Sequence, residues 1–192
     1  MRVAFVLDGA PAELEVRADE MLVDAMRAAG RLSVRETCGI GVCGACTVVV
    51  DDEPVSACLM LAAQVEGRRV VTVEGLPDDD PVLQAFTQAH AAQCGWCTPG
   101  MVLTVKAMLA DNPRLDRQRA AEGLGGNLCR CGSYSRILDA AELAAELTRA
   151  DGDDEVLDLA AAGREAVLRR AAPAAAGLAA LLVLLGLRRR RR

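Results

Sequence analysis

Aromatic side chains are nearly absent: the chain has one tryptophan, one tyrosine and two phenylalanines in 192 residues. Its core cannot rest on bulky rings. With 52% hydrophobic residues it must be built mostly from Ala, Val and Leu, and metal ligation is a way for small domains to gain the stability that such side chains do not supply. Histidine is equally scarce. His90 stands alone, so a Ser-His-Asp triad or a histidine metal centre would depend on one residue, and no hydrolytic constellation is visible. His90 reads as a helix-surface or packing residue. An apolar signal region is not expected either, because Met1-Arg2-Val3-Ala4-Phe5-Val6-Leu7 runs directly into the turn Asp8-Gly9. There is no internal repeat, and no low-complexity tract before residue 150.

Basic charge is in deficit over most of the chain. The net charge is -5, but residues 1–150 carry 21 acidic and 14 basic groups and residues 151–192 carry 6 and 8. An acidic body of this kind argues against nucleic acid as a partner. The length suits one ordinary domain or two small ones, and a change of pattern near residue 78 favours two.

What the chain does have is cysteine, eight of them in two sets. Cys38, Cys43, Cys46 and Cys58 read C-x4-C-x2-C-x11-C, the plant-type spacing for a [2Fe-2S] cluster held by four thiolates. Cys94 and Cys97 form C-x2-C, followed after 31 residues by the C-x-C of Cys129 and Cys131. Four disulfides are the first alternative, but secreted disulfide scaffolds are usually shorter and carry a signal peptide. The cysteines are therefore expected to meet a reducing cytoplasm. Structural zinc is the second. Zinc sites normally show two short C-x2-4-C pairs, whereas Cys58 stands alone, and Gly39, Gly41 and Gly44 leave room for the chain to wrap a cluster at positive φ with its N–H groups turned towards sulfur. Taken alone, the second set could equally hold zinc. Two complete sets in series point to an electron relay.

Periodicity places these sets on elements. Arg2–Leu7 and an extended stretch from Leu14 to Val16 flank Asp8-Gly9 as a β-hairpin. Met21, Leu22, Ala25, Met26 and Ala29 recur at helical spacing, with Asp19 as N-cap and Gly30 as stop. Cys46–Val50 and Val70–Val73 read as strands. Asp78-Asp79-Asp80-Pro81 reads as a charged linker, after which Val82, Leu83, Phe86 and Ala89 share a helical face. Thr98-Pro99 fits an N-cap with proline at the first helical position, opening a helix through Leu109 that stops before Asn112-Pro113. Arg117–Leu124 and Ile137–Leu147 complete four helices. Two helix N-termini are then expected to converge on the second cysteine set, a favourable setting for an anionic centre.

Three segments carry a family resemblance: Glu36-Thr37-Cys38-Gly39-Ile40-Gly41-Val42-Cys43-Gly44-Ala45-Cys46-Thr47, Gln93-Cys94-Gly95-Trp96-Cys97-Thr98-Pro99-Gly100-Met101 and Gly126-Asn127-Leu128-Cys129-Arg130-Cys131. They closely resemble the iron-sulfur subunit of the molybdenum hydroxylases, the xanthine dehydrogenase, aldehyde oxidoreductase and carbon monoxide dehydrogenase family, across about residues 2–150. One departure is Gly132-Ser133-Tyr134 after the last cysteine, where the family usually has Thr-Gly-Tyr. The resemblance implies an α+β chain, with an N-terminal β-grasp, plant-ferredoxin-like domain (1–77) and a four-helix [2Fe-2S]-binding domain (78–150). All eight cysteines would be metal ligands, and the chain would have no catalytic site of its own. It implies a molybdopterin-binding large subunit as partner, with an FAD-binding subunit or a cytochrome taking the electrons. By the same resemblance Gln93 approaches the pterin. Trp96 reads as interface or core packing rather than an electron conduit. The rival classes are a stand-alone ferredoxin-like carrier and a zinc-stabilised interaction module.

The resemblance leaves out residues 151–192, an acidic linker and an Ala/Leu/Arg-rich tail. Pro173 leaves about 14 helical residues after it, roughly 21 Å against a hydrocarbon thickness of roughly 30 Å. A span would also carry Arg188–Arg192 against the positive-inside tendency if the body is cytoplasmic. The sequence thus favours a disordered or packing tail, with membrane-surface contact as the next reading.

Overall fold

The computed structural model describes residues 1–150, and the expectations for residues 151–192 lie outside the described residues. Five strands form one mixed sheet in the order β2-β1-β5-β3-β4, with β1 Arg2–Leu7, β2 Ala10–Glu15, β3 Thr47–Val50, β4 Glu53–Ser56 and β5 Arg69–Val71. β1 pairs antiparallel with β2 and parallel with β5, and β3 runs antiparallel to both β5 and β4. Helix α1, Leu22–Ala28, covers one face. Then come α2 Pro81–Gln88, α3 Thr98–Asp111, α4 Arg117–Gly123 and α5 Tyr134–Ala150. This is the expected α+β arrangement of a sheet domain followed by four helices.

Strand β3 explains why the halves are not loosely tethered. Val48 and Val50 belong to the core under α1, with Val3, Phe5, Leu22, Met26 and Val70, whereas Val49 packs with Met101, Val102 and Val105 of α3. Successive side chains on a strand face opposite sides, so a run of valines serves two cores at once. The helical core solves the shortage of aromatics with small residues: Ala85, Ala140, Ala141, Ala144 and Ala145 are at most 1% exposed. Among the described residues no helix is long and apolar enough to cross a membrane.

Several local expectations need correction. Met21, not Asp19, is the N-cap of α1; the helix is entered from a bridge between Met21 and Leu61 with Leu22 N–H donating to Met60 O at 2.7 Å, while Asp19 pairs with Arg17. Gly30 does end the helix, at φ 82°. β2 begins at Ala10 rather than Leu14 because Pro11 is tolerated on an edge strand. Val73 leaves β5 for a 3-10 turn. Strand β4 was not anticipated, since Pro54 lowers its strand signal, yet β4 too is an edge. Asp80 is not merely a linker residue: its buried carboxylate accepts the Val82 N–H at 2.9 Å as the cap of α2 and pairs with Lys106. Cys97, not Thr98, is the N-cap of α3, which moves Pro99 to the second position. α5 extends beyond Ile137–Leu147 at both ends.

Candidate metal centres

The first cysteine set is assembled by a glycine loop and a hairpin. Gly39, Gly41 and Gly44 take φ of 67°, 73° and 64°, conformations that glycine adopts without a Cβ penalty. They curl the loop so that the Ile40, Cys43 and Val42 N–H groups donate to the Cys38 sulfur. Those bonds, with the neighbouring Cys43 thiol, hold Cys38 well below its ordinary value, at about 6. The 11 residues before Cys58 are also accounted for: strand β3, the Asp51-Asp52 turn at φ 49° and 75°, strand β4 and Ala57. Because Thr47 pairs with Ser56, the hairpin returns the chain to its start, and Ala57 N–H donates to Cys46 O at 3.3 Å. Cys46 and Cys58 are buried as a hydrogen-bonded pair, and burial pushes Cys46 up to about 11. Cys43 also acts on Cys46 through its charge, so the set forms one electrostatic unit.

The second set has the same plan. The Cys94 thiol accepts the Trp96 N–H and meets the Cys131 thiol, which keeps it below its ordinary value. Cys97 meets Cys129 across the start of α3, and burial pushes Cys97 up to about 12. Burial acts upward on Cys129 as well, but N–H donors from Ser133, Cys131 and Gly132 and the Cys97 thiol outweigh it. Cys131 accepts the Cys94 N–H, which lowers it, yet the shared Cys94 thiol and burial leave it raised. The Cys129 N–H donates to Tyr134 Oη at 2.9 Å. Among the described residues no group of three or more His, Cys, Asp or Glu is gathered to hold a single metal ion; the thiols come two and two.

A polar seam joins the sites. Leu128 N–H donates to Cys43 O at 2.9 Å, and buried Asn127 donates from Nδ2 to Gly44 O at 3.3 Å while its Oδ1 accepts from Thr104 at 3.2 Å. A Cβ on Gly44 would lie 2.5 Å from Gly126 O. Trp96 Nε1 donates to Thr37 Oγ1 at 2.8 Å, and the Arg35 guanidinium lies 4.9 Å from the centre of the Trp96 ring. Gln93 is exposed immediately before Cys94, and His90 is exposed just past α2 at φ 50°.

Comparison with known proteins gives this geometry its place. Residues 5–72 match the family described as 2Fe-2S iron-sulfur cluster binding domain, and residues 72–142 the one described as [2Fe-2S] binding domain. The nicotinate dehydrogenase small FeS subunit of Eubacterium barkeri is 42% identical over 144 residues, 73% of this chain and 92% of that protein. The chain belongs to the iron-sulfur small subunits of the molybdenum hydroxylase family. The xanthine dehydrogenase iron-sulfur-binding subunit of Escherichia coli O157:H7 is 41% identical over 139 residues, covering 69% of this chain and 87% of that one. A crystal structure of quinoline 2-oxidoreductase from Pseudomonas putida 86 superposes with a TM-score of 0.75 and 39% identity, over 78% of this chain and 96% of that chain. As a molybdenum hydroxylase small subunit, the chain carries [2Fe-2S] clusters for electron transfer within an oxidoreductase.

The thiols interact within the two groups that their spacing sets out, but sequence reasoning assigned no role to Asn127, Tyr134, Thr37 or Arg35. Asn127 lies inside the Gly126–Cys131 motif, yet only the fold reveals that its amide reaches Gly44, 83 residues away.

Proposed function

We propose that this chain receives electrons from a molybdopterin-binding large subunit through its helical domain and delivers them from its N-terminal domain to flavin or another acceptor on a partner. When bound, each cluster supplies one-electron transfer. The donor chemistry fits such a group. In each set the thiols form two pairs, Cys38 with Cys43 and Cys46 with Cys58, then Cys94 with Cys131 and Cys97 with Cys129. Two thiolates per iron is what a two-iron cluster with four cysteine ligands requires, and backbone N–H groups already turned to Cys38 and Cys129 offset its negative charge. We assign the eight cysteines as ligands, residues 1–77 to the ferredoxin-like unit and 78–150 to the helical unit, in a reducing cytoplasm.

The observation that carries this reading is the hydrogen bond between Cys43 O and Leu128 N–H. It ties a residue of the first set to the neighbour of a residue of the second, so the two sites are held at a fixed separation. Gln93 and the Cys129-Arg130-Cys131 segment would face the pterin, since Gln93 is exposed beside Cys94 and helices α3 and α5 begin at this end. Gln93→Ala should slow reduction of the clusters by substrate in the anaerobic complex while both remain assembled, as followed by rapid mixing. Reduction at the native rate would reduce Gln93 to a loop residue.

A further inference from the structure

Ser133 is the residue before α5, and Ile137 N–H donates to its carbonyl at 3.0 Å as expected of an N-cap. A serine here ordinarily turns its hydroxyl onto the N–H groups of the first turn. This one does not. Ser133 is 5% exposed and its Oγ is buried with no hydrogen-bond partner among the described residues. The two other such atoms, Arg35 Nε and Arg69 Nη1, belong to guanidinium groups that keep further donors, and Arg69 Nη2 is bonded to Asp52. A hydroxyl has only one proton to place, and a buried polar group left without a partner is strongly disfavoured. Ser133 sits two residues after Cys131, just past the turn in which Gly132 N–H donates to Cys129 O at 3.2 Å, and its backbone N–H helps to hold the Cys129 thiol down. The hydroxyl is therefore a few bonds from a thiolate that already draws donors from Cys131 and Gly132.

We propose that the Ser133 hydroxyl donates a hydrogen bond to a sulfur of the helical-domain [2Fe-2S] cluster and raises that cluster's reduction potential. The inference rests on Cys129 being a cluster ligand. Reduction adds negative charge, so a donor to sulfur favours the reduced form, and hydrogen bonds to sulfur are among the determinants of cluster potential. The bond would make the helical-domain cluster a better acceptor without altering its ligands.

The test is a redox titration of the assembled complex followed by electron paramagnetic resonance, with the helical-domain signal assigned in a Cys43→Ser background. In Ser133→Ala the helical-domain midpoint should fall, so that at the native midpoint the oxidised-to-reduced ratio rises about tenfold, equivalent to 59 mV for one electron. The N-terminal midpoint should stay in place, and Ser133→Thr should restore the native value. An unchanged helical-domain midpoint in Ser133→Ala with full iron content overturns the proposal. Should Ser133→Ala fail to assemble, Ser133→Thr and Ser133→Val compare a hydroxyl with a methyl at equal size, and equal midpoints overturn it as well. Failure of the ligand reading is distinguishable, because the native protein would then lack the helical-domain signal.

Discussion

At the scale of single residues, a hairpin glycine and a cluster-loop glycine carry different constraints. Gly9 and Gly44 both have positive φ, 77° and 64°, but a Cβ at Gly9 meets nothing within 4 Å whereas one at Gly44 would run into Gly126 O and the Asn127 amide. Alanine at either position incurs the left-handed penalty, ~1–2 kcal/mol. Only Gly44→Ala adds overpacking against backbone, ~1–3 kcal/mol more, and it does so on the seam between the two cysteine sets. Thermal melts of the cluster-loaded protein should therefore place Gly9→Ala below the native chain and Gly44→Ala clearly lower still, with iron lost only from the latter. Equal melting points would show that the close approach at Gly44 is not needed.

At the scale of elements, charge pairs of similar appearance should differ in consequence. The Asp80 carboxylate is fully buried, caps α2 and meets Lys106 of α3, whose side chain is 15% exposed. Arg117 of α4 reaches Asp139 and Glu142 of α5 at 2.6 and 3.0 Å, but 42% of its side chain is in solvent. Lys106→Met leaves a buried carboxylate unpaired and should destabilise the helical domain by ~3–5 kcal/mol, whereas Arg117→Ala removes a solvent-screened pair and should cost far less; denaturant unfolding monitored by helix content reads both. The same elements show what a linear reading can see. The helix stop at Gly30 and the left-handed glycines of the cluster loop were legible because local chemistry decides them. The α1 cap, strand β4 and the burial of Asp80 were not, because each depends on a partner distant in sequence: Met60 and Leu61 for the cap, β3 for β4, and Lys106 for Asp80. The long interval before Cys58 was read only as an isolated ligand, although it is the length of a hairpin.

At the scale of the whole molecule, the two sites are structurally joined yet chemically separate. Each draws its thiols and N–H donors from its own half, and the seam between them uses backbone and amide groups, including the Cys43 carbonyl rather than its sulfur. Cys43→Ser keeps that carbonyl. It should remove the N-terminal cluster while the helical-domain signal persists in electron paramagnetic resonance; loss of both from a folded, soluble variant would mean that the sites assemble as one. The central claim, that this small subunit holds two [2Fe-2S] clusters on eight thiolates, is tested most directly by metal and sulfide analysis of the anaerobically purified chain. Two such clusters require about four iron and about four acid-labile sulfides per chain, and stoichiometric zinc without sulfide would rule them out.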